Sequence, residues 1–352
     1  MMSAYYFLDG WSQNNPYPVG QGGANVPGFN ALNSGRAQLL ALGDTKTLGS
    51  AAVNEFHFSF MRDATDLGKP SGGVGMSLAS QGFVVGQNTP GIVPLSPTTE
   101  GVESVDFNNF SVGTNTNELK QVNNTFQWRD GFSKVLGTHT IKAGAELHYD
   151  QVNTNPIAQL NGNFIFFGSE TGVDFADFLL GIPSQYNQSQ LQTFYGRNKY
   201  TGLYAQDSWR VTKNLTLNYG LRWDRIEPWY EKYNQIATFE PGRQSVVFPC
   251  PPAGNLFPGD PAVPRTIGPP GNLDFAPRLG LAWSPGSGKT SIRASYGIFY
   301  TAIEALTIGI SSANAPYGPP IPAPHRRFSP PRSLPRPTAR TWASTSRFNW
   351  RP

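Results

Sequence analysis

The sequence predicts an all-β fold: an antiparallel transmembrane β-barrel segment, an incomplete barrel with long Pro/Gly-rich extracellular loops. Three observations predict it. Strand-like runs alternate apolar and polar residues with period two, short turns alternate with connections of tens of residues, and aromatic residues gather near the strand ends. Composition agrees. Charged residues are 14% of the 352, against about 25% in ordinary soluble domains, aromatics reach 13%, and there are 38 glycines and 31 prolines. Glycine and proline punctuate the chain and aromatic side chains suit pleated surfaces, so strands, turns and loops are favoured over helices.

The elements follow in order. Ala4, Tyr6 and Leu8 share one parity of an opening strand that runs into an Asn/Pro turn. Three later stretches repeat one design, Phe126–Asp150, Leu203–Ile226 and Phe275–Tyr300. Each has a strand holding a tryptophan (Trp128, Trp209, Trp283), a short turn, and a strand with a mid-strand glycine (Gly144, Gly220, Gly297). In the strand Ile141–Tyr149, Lys142, Glu146 and His148 oppose Ile141, Ala143, Ala145, Leu147 and Tyr149. Arg222 and Asp224 oppose Leu215, Leu217, Tyr219, Leu221 and Trp223, while Arg278 and Arg293 oppose the apolar residues of their own strands. A charge at mid-membrane costs about 2–4 kcal/mol, so Lys142, Glu146, Arg222, Asp224, Arg278 and Arg293 are expected to face a polar lumen. Asp207 breaks the rule by sharing the parity of Leu203, Ala205, Trp209 and Val211, which predicts a bulge or a place near the membrane interface. Strands of about 9–11 residues suit a tilted crossing, and roughly ten are expected from the alternation. A soluble sandwich alternates by the same logic; the aromatic strand ends and the short-turn/long-loop asymmetry favour the barrel.

Other chemistry is weak in this sequence. Cys250 stands alone, and His57, His139, His148 and His325 show no ligand spacing, so no metal or cofactor is expected. The formal charge of +4 is too small to argue for nucleic acid. No run of 18 apolar residues exists for a helical membrane crossing. Ser284–Ser291, "SPGSGKTS", resembles part of a phosphate-binding loop, but Trp283 stands where that pattern needs a glycine, so a hairpin turn is expected. Asp174 and Asp177 are three apart with no partner histidine, so a short helix or strand end is expected there and no catalytic pair.

"GLYAQDSWRVTKNLTLNYGLRWD" at Gly202–Asp224 resembles a signature hairpin of TonB-dependent outer-membrane receptors, the Oar-like group in particular. "SAYYFLD" at Ser3–Asp9, "VNEFHFSFMRDA" at Val53–Ala64, "HTIKAGAELHY" at His139–Tyr149, "DFADFLLGIP" at Asp174–Pro183 and "APRLGLAWSP" at Ala276–Pro285 are similar to the same group. The resemblance spans about residues 3 to 320. It implies a receptor of the bacterial outer membrane that moves a bulky, unidentified substrate inward, in contact with outer-membrane lipid and energised by a TonB complex, with no catalysis. Members of the group also carry a signal peptide, an amino-terminal domain, a plug and a TonB box, on a barrel of about 22 strands. The chain is therefore expected to be a partial barrel over 1–324, without transport activity in isolation, followed by an Arg/Pro-rich tail over 325–352 that is disordered or out of frame. Loops 151–199 and 227–274 are expected to face outward. Their aromatics Phe164, Phe166, Phe167, Tyr195, Trp229, Tyr230 and Tyr233 are candidates for ligand contact, loop packing being the simpler use. An outer-membrane adhesin or structural surface protein, and a soluble all-β binding module, are the alternative classes.

Overall fold

The computed structural model describes residues 1–15, 30–70, 104–113, 119–155, 163–189, 193–248, 251–266, 271, 273–286, 289–302, 305, 316–317 and 320–324. Its strands in chain order begin with β1 (Met2–Asn15), β2 (Ala31–Leu48), β3 (Ala52–Pro70), β4 (Ser104–Asp106), β5 (Ser111–Val112), β6 (Leu119–Leu136), β7 (His139–Thr154) and β8 (Asn163–Ile165). After the short helix α1 (Asp174–Leu179) come β9 (Gln185–Ser189), β10 (Phe194–Thr212), β11 (Leu215–Ile226), β12 (Tyr230–Glu231), β13 (Thr238–Phe239) and β14 (Asn255–Leu256). The last are β15 (Asp274–Trp283), β16 (Ile292–Gly297) and β17 (Pro320–Pro324). The expected tail, 325–352, lies outside the described residues.

One antiparallel sheet carries the long strands in the order β1-β2-β3-β6-β7-β10-β11-β15-β16, and β12 pairs with β10 to make ten. Sequential neighbours pair, as hairpin chains do. Among the described residues β1 and β16 remain the two edges, so the sheet does not close on itself. Short links join β2 to β3, β6 to β7, β10 to β11 and β15 to β16; long ones join β3 to β6, β7 to β10 and β11 to β15. All the short links therefore lie at one end of the sheet and all the long ones at the other. In the two-residue Gly137-Thr138 turn, Gly137 adopts φ +59°, a conformation that glycine reaches without Cβ strain. The SPGSGKTS segment is such a link, between Trp283 and its partner Ile292.

The long strands exceed the expected length: β3 and β10 have 19 residues each and β2 and β6 have 18. At about 3.3 Å per residue, 19 residues span about 60 Å, far more than a tilted strand needs to cross an apolar band about 25 Å tall. The difference arises because main-chain pairing continues where the outward side chains turn polar. On one face Phe60, Phe126 and Tyr149 are register neighbours, with Phe60 and Phe126 ring centroids 4.8 Å apart. One pair further toward the long loops the same face reads Arg62, Asn124, Gln151 and Arg197, joined by Arg62 Nη1 to Asn124 Oδ1 at 2.9 Å and Asn124 Nδ2 to Gln151 Oε1 at 3.2 Å. The aromatic row and the polar row beyond it mark one boundary of the lipid band. Toward the short turns, Asp44, Asn54, Asp130 and Asp207 occupy this face, Asn54 donating to Asp130 at 3.1 Å.

Asp207 keeps regular register with Ile141 and Tyr219; the register shift lies between Arg210 and Thr212, beyond it. Of the two expectations for Asp207, the bulge is thus displaced toward the turn. The carboxylate is held by His139 Nδ1 at 2.6 Å and the Tyr219 hydroxyl at 2.8 Å, and Trp209 stacks on His139 at 5.4 Å. An aromatic rim whose ring polar atoms are held by a carboxylate oxygen, Asp207 Oδ2, suits an interface position.

Candidate functional site

The opposite face of the sheet holds the polar residues. Register pairs place Lys142 level with Gln206, Gly220 and Arg278, Glu146 level with Gly202 and Asp224, and Arg293 opposite Ala282. The six residues named from the alternation thus share one face. Three of them meet in one network. Arg222 Nη2 donates to Glu146 Oε2 at 2.9 Å, and its Nε donates to Asp224 Oδ1 at 2.7 Å. The guanidinium also donates to the Tyr200 hydroxyl, which donates in turn to Asp224. His148 Nε2 contacts Glu146 Oε1 at 2.9 Å, and its ring lies 4.9 Å from that of Tyr200. Lys142, Arg278 and Arg293 stand outside this network; Arg278 lies 4.8 Å above the Phe299 ring.

Tyr200 and Tyr204 are members that the sequence reading missed. They sit on the polar parity of β10, with Tyr204 directly opposite Arg222 and Gly144. The signal was their i, i+4 spacing on the parity of Gly202 and Gln206. Tyr204 lies across the hole left by glycine: a Cβ on Gly144 would come 2.7 Å from its hydroxyl, and one on Gly131 3.3 Å. The mid-strand glycine here lets an aromatic ring lie flat along the wall, a close approach that a side chain would block. Gly202 likewise makes room for Arg222 and Tyr200.

At the long-loop end the connections fold on one another. Strands β4, β5, β8, β9 and β17 form a second sheet in the order β17-β9-β8-β4-β5, with β4 and β8 parallel. Phe107, Phe164 and Phe166 are buried beside it, and the Phe178 ring meets those of Phe107 and Phe166 at 5.4 Å each. Phe194, Trp229 and Ile236 make a separate buried cluster. Of the loop aromatics, Phe164, Phe166 and Trp229 are therefore spent on packing, while Phe167 and Tyr233 remain exposed. The first outward stretch is shorter than 151–199, because β7 runs to Thr154 and β10 starts at Phe194, whereas 227–274 holds to within one residue, β11 ending at Ile226 and β15 starting at Asp274.

"DFADFLLG" forms α1, and its acids are structural. Asp174 accepts from the Asn108 N–H at 2.9 Å. Asp177, fully buried, accepts from the Thr171 hydroxyl at 2.7 Å and from the N–H groups of Thr171 and Glu170. Burial alone would raise its pKa, but the Thr171 hydroxyl and the backbone N–H groups of Glu170, Thr171 and Ser169 outweigh it and hold the carboxyl below its ordinary value of 3.8. A group with a lowered folded pKa contributes stability above its unfolded pKa and loses it as pH falls through the folded value. Hydrogen exchange over 163–189, corrected for intrinsic rates, will accordingly stay slow from neutral pH to about 4 and quicken below. Asp177→Asn will quicken it at pH 7 and flatten the acid response; an unchanged acid profile in that variant would clear Asp177 of the role.

A family model described as "Outer membrane beta barrel domain" matches residues 1–348. No curated protein and no solved structure matches the chain. A period-two sheet with one apolar face, one polar face and all its long loops at one end is what that description requires. The chain belongs to this outer membrane β-barrel family, and its site is the bacterial outer membrane.

Proposed function

We propose that the chain forms wall and external loops of a TonB-dependent receptor of the Oar-like group: the loops capture a solute, which passes along the polar face once an internal plug is displaced. The observation that carries this reading is the pairing of a charged, hydrogen-bonded wall with a folded assembly of long loops at one end only. A merely structural barrel has no need of a built polar wall. In this proposal the protein has no catalytic role and takes no cofactor; its partners are outer-membrane lipid, the solute and the TonB complex.

The test is comparative depletion of solutes from growth medium by cells with the gene intact, with the gene deleted, and with TonB disrupted. The expected result is at least one solute whose removal requires both the gene and TonB. If no solute depends on both, the transport reading fails. An adhesin is favoured by one observation, the exposed apolar side chains Val173, Phe175, Leu179 and Leu180 on and beside α1. That reading expects deletion to reduce surface attachment while TonB disruption leaves attachment unchanged.

A further inference from the structure

A groove of about 660 Å³ runs along the polar face between β6 and β16. Glycines floor it, Gly131, Gly220 and Gly280 among them, so the backbone is closely approachable. Four cations line it, Arg129, Lys142, Arg222 and Arg278, against two carboxylates, Glu55 and Asp207. Asp207 belongs to the other face and is held there by His139 and Tyr219. Arg222 is matched by Glu146 and Asp224. Arg129 stands directly opposite Glu146 in register. That leaves Lys142 and Arg278, both exposed, with no carboxylate within ion-pair distance among the described residues.

The spacing of these cations matters as much as their number. Lys142 and Arg278 stand on one register line, three strand steps apart, or about 14 Å at about 4.8 Å per step. Both line the groove, the Arg278 guanidinium lying 4.8 Å from the Phe299 ring, and Ser208 and Asn218 supply neutral hydrogen-bonding groups on the strands between them. Like charges around a concavity focus potential and attract counter-ions. Guanidinium and ammonium groups around polar donors recognise phosphate and carboxylate oxygens by charge-assisted hydrogen bonds.

We propose that this groove binds a polyanion, a solute bearing two or more phosphate or carboxylate groups, seated between Lys142 and Arg278. This deepens the transport reading and rests on its assignment of the polar face to water.

The test labels Ser208→Cys in a Cys250→Ser background, in folded protein in detergent micelles. Two methanethiosulfonate reagents of similar size are compared, one sulfonated and one quaternary ammonium, each rate divided by that for a free thiol. The anionic reagent is expected to react about 3- to 10-fold faster, with the ratio shrinking as salt is raised. Inorganic tripolyphosphate should slow both reactions, and Lys142→Gln with Arg278→Gln should bring the ratio to about one and abolish that protection. The charge-preserving pair Lys142→Arg with Arg278→Lys should keep both effects, which separates lost charge from lost fold. A native ratio at or below one, or tripolyphosphate protection that survives removal of both cations, would overturn the polyanion site. Failure of both reagents to react in folded protein overturns it at an earlier step, the water-facing assignment itself.

Discussion

Leu203→Arg is expected to abolish recovery of folded protein from the outer membrane, whereas Asn218→Arg, on the neighbouring strand, is expected to be tolerated. Leu203 is half-exposed on the apolar face, midway between the Lys199 and Asp207 levels and opposite Ala145 and Trp223. An arginine near the middle of that band costs about 2–4 kcal/mol, a large share of the about 5–15 kcal/mol that holds a folded chain. Asn218 points to the polar face, opposite Ser208 and Gly280, where the groove leaves room and water solvates the charge. The check is the fraction of each variant in the outer-membrane fraction that migrates as folded, heat-modifiable protein. Equal recovery of the two variants would refute the assignment of faces, on which the transport proposal also depends.

The second large effect is expected at Arg222. Its side chain is 17% exposed and satisfies Glu146 and Asp224, whose side chains are 30% and 9% exposed. Arg222→Leu leaves both carboxylates beside one another without a cation and removes a donor to Tyr200. Breaking a fully buried pair costs about 3–5 kcal/mol; for this partly solvated network about 2–3 kcal/mol is expected. Urea unfolding in detergent micelles measures it. Adding Glu146→Gln and Asp224→Asn to Arg222→Leu should recover part of the loss, since the stranded charges are then gone. If the triple variant is as unstable as the single one, the network contributes packing and not charge compensation.

Much of this architecture was legible because period two is a local property. Lys142, Glu146, Arg222, Asp224, Arg278 and Arg293 could be assigned to one face by parity alone, strand by strand. Thr212 pairs with Leu215, which continued regularly would set odd-numbered residues against even ones and pit Leu203 against the polar face of β11. Leu203 meets Trp223 only because a residue is skipped at Val211, so the matching of apolar faces demanded the irregularity that Asp207 merely hinted at.

The loops were less legible because their contacts join segments far apart in the chain. Phe107 stacks near Phe166, and Ser104–Asp106 pairs in parallel with Asn163–Ile165, across separations with no periodic signature. The Arg222 network is of the same kind, since Glu146 lies 76 residues away and reaches it only through strand order and register. The sequence by itself thus determined which side of each strand meets lipid and which meets water, because that choice depends on alternation within a single strand. Only the tertiary structure decided which charges pair, which aromatics are consumed by loop cores and which cations line the groove, because those outcomes depend on which strands become neighbours and in what register.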